Sequence, residues 1–234
     1  MTNLANVASR LQARYLQTRS RGKDPKNTRA MTQRKRRGAV PALWLMTDVA
    51  RLGTIEHVLQ TLPVGTPHCS IGLIIRHTEA VQLRRMAEAL VPACRQRKVC
   101  CIIAGDWVLA AQLRADGLHL SERGAARGPA PGARLWRRGK GRILTVAAHG
   151  MTALARADRR RPDAILLAPV FLTASHPHAT ALGALRFAAL ARRTRAPVIA
   201  LGGVTPRTAL RLIGSGAAGL AGVGWAERAT QKRN

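Results

Sequence analysis

Residues 164–193 read AILLAPVFLTASHPHATALGALRFAALARR. The stretch stays apolar as far as Phe171, turns into hydroxyls, histidines and a proline, and then becomes a helix-period segment from Ala184. A short, wholly apolar run bounded by turn residues fits a strand covered on both faces. The segment after it sets Leu185, Ala188 and Ala189 at helical spacing, so the whole reads as strand, loop and helix.

The same unit recurs. Working outward, apolar runs occur at 42–47 (ALWLMT), 70–75 (SIGLII), 99–104 (VCCIIA), 117–120 (GLHL), 142–148 (RILTVAA), 164–170 (AILLAPV), 197–203 (PVIALGG) and 219–224 (GLAGVG), eight in all. Helical patterns separate them, as in 79–97 (EAVQLRRMAEALVPACRQR), where Leu83, Met86, Ala87, Leu90 and Cys94 share a face. Strands alternating with helices pair in parallel through right-handed crossovers. Eight such units in so short a chain predict an α/β fold of the closed (β/α)8, or TIM-barrel, kind, with an open doubly wound sheet as the alternative.

With 234 residues and 47% apolar content the chain can bury a real core. No apolar run approaches the roughly 18 to 20 residues of a membrane span, and no apolar signal core stands near the start. A cytoplasmic protein with no membrane partner is expected. Cys69, Cys94, Cys100 and Cys101 lack metal-site spacing and read as reduced core thiols.

The net charge is +28. Most of the basic residues are arginines scattered over helix exteriors, and aromatic residues are only 3%, which argues for solvated faces rather than a nucleic-acid site. Residues 1–38 stand apart, with eleven Lys/Arg against one acid, Asp24. Leu4, Val7, Leu11 and Tyr15 fall there at helical spacing beside arginines, a pattern shared by transit peptides, flexible extensions and overlong starts with Met31 or Met46 as later candidates. We read 1–38 as a flexible basic extension, capable of non-specific nucleic-acid contacts at most, and 39–234 as the barrel.

In such barrels function sits where each strand's C-terminal end meets its loop. Those ends carry Thr47 and Asp48, then Arg76, His77 and Thr78, then Gly105 and Asp106, then Ser121 and Glu122. They continue with His149, with Thr173, Ser175, His176 and His178, with Gly202 and Gly203, and with Gly222 and Gly224. The last two loops are the most informative. Glycines let backbone N–H groups approach an anion, and Thr205 with Pro206 announces a helix start directly behind Gly203. Both loops therefore suit a phosphate monoester; tight-turn glycines are the plainer reading.

Residues 43–229 resemble the thiamine-phosphate synthase / TenI superfamily. The resemblance rests on LWLMTD, AQLRADGLHLSE, VAAH, LAPVFLTASHPHATALG, VIALGGV and SGAAGLAGVGWA. It implies a TIM barrel and one of two activities. The synthase joins a pyrimidine diphosphate to a thiazole phosphate with Mg²⁺ and cationic side chains stabilising the leaving diphosphate. The TenI-like branch includes thiazole tautomerases, which move a proton on a thiazole carboxylate phosphate without metal.

The strand ends depart from the synthase pattern. Its Gln-x-Arg-x-Lys after strand 2 corresponds to Ile74, Arg76 and Thr78, so only the arginine survives. Its Asn-Asp after strand 3 falls on Ala104 and Gly105, leaving Asp106 one place late as a weak metal candidate, and its second magnesium carboxylate falls on Gly124. Its strand-5 serine is Ala147, and its Thr-x-Thr-Lys becomes Thr173, Ser175 and His176, while Gly183 keeps the glycine that approaches the thiazole phosphate. The resemblance thus implies an intact phosphorylated-thiazole half and a depleted magnesium-diphosphate half. We expect a TenI-like thiazole tautomerase with no cofactor, His149 as its proton-transfer residue and Arg76 gripping a carboxylate or phosphate. A synthase with altered ligands, needing Mg, and a non-catalytic phosphate-ligand binder stay open. His119 reads as a satisfied inner-barrel residue. Barrels of this kind often pair, so a homodimer is a further expectation.

Overall fold

The computed structural model describes residues 4–21, 40–48, 54–62, 70–139, 141–173 and 179–223. Eight strands run β1 (Leu43–Met46), β2 (Ile71–Ile75), β3 (Cys100–Ala104), β4 (Gly117–Leu120), β5 (Ile143–Ala148), β6 (Ala164–Leu167), β7 (Val198–Leu201) and β8 (Ala217–Gly222). They close in sequence order, every pairing parallel, with β8 bonded back to β1. Each strand falls on an apolar run read from the sequence. The open sheet is excluded because Leu43, Trp44 and Leu45 pair with β2 on one side and β8 on the other.

The helices in chain order are α1 (Leu4–Arg21), α2 (Ile55–Thr61), α3 (Ala80–Gln96), α4 (Trp107–Gln112), α5 (Glu122–Arg127), α6 (Pro131–Arg137), α7 (Met151–Arg159), α8 (Gly183–Ala191) and α9 (Pro206–Leu210). Strand alternation sorts the core. Trp44, Met46, Ile74, Cys100, Ile102, Ala164, Leu166, Ile199 and Ala221 pack together as the barrel's filling. Leu45, Leu73, Ile75, Cys101 and Ile103 turn the other way, onto Leu83, Met86, Ala87 and Leu90 of α3. Trp44 is fully buried and its Nε1 donates to Pro41 O at 2.9 Å. Gly72 is its necessary neighbour, since a Cβ there would stand 2.4 Å from Trp44 Cε3.

Three sequence expectations change. Leu185 is 89% exposed and Ala189 is exposed too; the buried face of α8 is Phe187, Ala188, Leu190 and Ala191, because the helix is entered one position away from the face assumed. Residues 4–21, read as part of a flexible extension, form α1. The stripe of Leu4, Val7, Leu11 and Tyr15 is what packs: Leu4, Val7, Ala8 and Leu11 join the core of Leu43, Ala217 and Leu220, and Gln12 Nε2 donates to Val40 O at 2.8 Å. An apolar stripe on a basic helix needs only a matching apolar surface, and the N-terminal side of the barrel supplies it. Residues 22–39 lie outside the described residues.

The arginines also do more than solvate faces. Arg95 Nη2 donates to Leu113 O and Arg114 O, Arg137 Nη2 to Arg161 O, and Arg160 Nε to Ala125 O. Each ties one element to carbonyls at or near the C-terminal end of another, where helical carbonyls lack backbone donors. Among the cysteines, the neighbouring Cys94 thiol and burial push the Cys101 thiol well up, so it stays neutral, and Cys100 is buried likewise. Cys69 lies outside the described residues.

Candidate functional site

The strand ends converge on one mouth. Arg76 follows β2 and is clamped by the end of β1. The buried Thr47 Oγ1 donates to Arg76 O at 3.0 Å and accepts from Arg76 N at 2.8 Å. The guanidinium donates from Nε to Thr47 O at 3.0 Å and from Nη2 to Asp48 Oδ2 at 3.3 Å. At 42% side-chain exposure it remains open to the mouth. A pre-placed planar cation of this kind suits a carboxylate or phosphate.

Deeper in, the register sets Ala104 beside His119 and His119 beside Thr145. His119 Nδ1 and Thr145 Oγ1 are hydrogen-bonded at 2.8 Å, both residues being buried. Burial, with a smaller contribution from the Arg76 charge, pushes the His119 imidazole down to about 4, so it is neutral near pH 7. The inner-barrel reading of His119 therefore holds.

His149 directly follows β5. Its Nδ1 lies 2.8 Å from Glu122 Oε2, with side-chain exposures of 55% and 36%. Ser121 caps α5 by accepting from Gly124 N at 3.1 Å, which fixes the first helical residue, Glu122, beside the histidine. Ser121, Glu122, Arg123, Ala126, His149 and Arg156 line an open cleft of about 420 Å³. The sequence reading noted Glu122 only as a strand-end residue. Its signal was its place directly behind an N-capping serine.

Asp106 has a different occupation. Its Oδ1 accepts from Leu109 N at 2.9 Å and caps α4. The residue read as a weak metal candidate thus serves as a helix cap, and among the described residues no group of three or more His, Cys, Asp and Glu is arranged to hold a metal ion.

On the opposite side the mouth is built of backbone. Gly202 and Gly203 take φ of +94° and +63°. A Cβ on Gly202 would stand 2.8 Å from Pro169 Cα, and one on Gly203 would stand 2.4 Å from Leu172 O. Phe171 N donates to Gly202 O at 3.0 Å, so the loops after β6 and β7 press together. Thr205 and Pro206 start α9 as expected, but Thr205 and Thr208 bond reciprocally in a capping box that uses two of the N–H groups proposed for an anion. The start of α8 differs: Leu182 offers no side-chain cap, and Gly183, at φ +70°, donates its N–H to Val170 O at 2.8 Å. Thr173 is half-buried beyond β6, and Gly222 ends β8 in register with Leu45. Ser175, His176, His178 and Gly224 lie outside the described residues.

A closed eight-stranded parallel barrel, with an arginine, a histidine–carboxylate pair and crowded glycines at its C-terminal mouth, defines a (β/α)8 protein. The chain belongs to the thiamine monophosphate synthase (TMP-TENI) family, whose model matches residues 54–225. It is 27% identical over 194 residues to the putative thiamine-phosphate synthase 2 of Aquifex aeolicus, covering 79% of this chain and 96% of that protein. It is 31% identical over 179 residues to the thiamine-phosphate synthase of Methylobacillus flagellatus, covering 76% and 81%. Among solved structures, the thiamine phosphate pyrophosphorylase from Pyrococcus furiosus superposes with a TM-score of 0.61 at 19% identity, over 78% of this chain and 85% of that one. The chain is thus a thiamine-biosynthesis-family TIM barrel.

Proposed function

We propose that the mouth binds a phosphorylated thiazole and that the chain is a TenI-like, metal-independent thiazole tautomerase with His149 as its proton-transfer residue. One observation supports the reading: among the described residues, three acids at the strand ends are engaged with protein partners. Asp48 holds Arg76, Asp106 caps α4 and Glu122 holds His149. Mg²⁺ prefers an octahedron of hard oxygens and leans on carboxylates. Acids already engaged in this way favour a reaction that does not lean on magnesium.

Arg76 would orient the substrate's anionic group, and the backbone around Gly183, Gly202, Gly203, Gly222 and Gly224, with Thr173, Ser175 and His176, would receive the phosphate. His149 would take a proton from one ring position and return it at another, work suited to an imidazole, whose two nitrogens can accept and donate a proton. The relatives' names favour a second reading, a thiamine-phosphate synthase with altered ligands. Incubating the protein with a thiazole carboxylate phosphate, without metal, should give proton exchange or aromatisation, and His149→Ala should lose about a hundredfold in rate or more. Equal rates for the two proteins would remove His149 from the mechanism. Diphosphate release from the pyrimidine and thiazole substrates with Mg²⁺ would move the chain to the synthase.

A further inference from the structure

The geometry points to Glu122 as the positioning residue of His149: its carboxylate fixes the imidazole as the Nδ1–H tautomer and leaves Nε2 as the atom that exchanges a proton with ligand. The inference rests on the role proposed for His149 and adds which nitrogen acts and what selects it. An ionised carboxylate can only accept hydrogen bonds, so the 2.8 Å contact from Glu122 Oε2 requires the proton to sit on Nδ1. In the neutral ring Nε2 then carries the lone pair.

The platform is local and rigid. Ser121 caps α5, Glu122 is its first residue, and an acid there is favoured by the helix dipole as well. His149 comes from the adjacent strand end, and the β4–β5 register sets the two loops side by side. Glu122 is thereby turned onto the histidine, 27 positions further along the chain. The other charged groups lining the cleft are Arg123 and Arg156, both cations.

The test reads the tautomer directly. Imidazole ¹⁵N spectra of the full chain are recorded at about pH 8.5, where an ordinary imidazole is neutral, for wild type, Glu122→Ala and Glu122→Gln, with His149→Ala assigning the signals. Wild type should show His149 protonated on Nδ1. Glu122→Ala should move the proton largely to Nε2, and Glu122→Gln, which keeps a carbonyl acceptor, should restore Nδ1–H. A wild-type ring protonated on Nε2, or a ring unchanged in Glu122→Ala, would overturn the inference whatever the activity. In turnover, Glu122→Ala should lower kcat at least about tenfold with KM within about twofold and partial recovery in Glu122→Gln; wild-type kcat in Glu122→Ala would also overturn it. The tautomer shift without turnover in wild type would leave Glu122's role standing and remove the tautomerase reading alone.

Discussion

The two sides of the mouth are made of different material. Between the described parts of the β6 and β7 loops the contact is backbone: Gly202 and Gly203 pass so close to Pro169, Phe171 and Leu172 that no side chain fits on either glycine. From β1 to β5 the walls are side chains, and each charged one that matters has a fixed partner, Arg76 with Asp48 and His149 with Glu122. The backbone side is specified by sterics and tolerates little change. The side-chain side is specified by pairing, so its chemistry can be altered without disturbing the fold.

The comparison can be broken in several ways, and the largest effect belongs to the backbone side. Gly203→Ala combines a left-handed φ with a steric collision and should cost about 3 kcal/mol, lowering Tm by roughly 10 °C. Gly183→Ala, at a similar φ but with nothing within 4 Å of the added Cβ, should cost only about 1 kcal/mol. Equal losses in denaturant titrations would mean that crowding is not what selects Gly203.

A second test concerns the buried histidine. The folded-state value of His119, about 4, lies below the ordinary 6.5, so the unfolded chain binds the proton more tightly. Its contribution is complete above about 6.5 and is lost as pH falls toward about 4, on the order of 3 kcal/mol in all. His119→Gln should flatten the stability curve over that window; an unchanged slope would assign the acid sensitivity elsewhere.

On the outside of the barrel, Leu11→Ala should destabilise by about 2 to 3 kcal/mol because Leu11 is 2% exposed in the core. Wild-type stability in that variant would return α1 to the status of a loose extension.

The smallest effect sharpens the chemistry. Asp106→Asn keeps a capping side chain and should be nearly neutral, whereas Asp106→Ala should cost about 1 kcal/mol. If Asp106→Asn instead abolished a magnesium-dependent activity, the cap would not be its main role.

Much of this was legible in the chain. All eight strands sit on apolar runs, since a strand buried on both faces has to be apolar throughout. Thr205 and Pro206 announced a helix start, and the α3 face of Leu83, Met86, Ala87, Leu90 and Cys94 was read correctly. Less was legible where two interpretations share one pattern. The α1 stripe suits a flexible amphipathic tail as well as a packed helix, and only the apolar surface beside β8 and β1 decides between them.

The sequence by itself determined the barrel, the order of its strands and the residues delivered to its mouth, because burial periodicity and chain direction are local properties. Tertiary structure alone decided their partners: that Glu122 meets His149 across 27 positions, that Asp106 turns back onto its own helix, and that Gly203 is forced by Leu172. Such pairings depend on distances that only strand register and loop closure set, and no spacing along the chain encodes them.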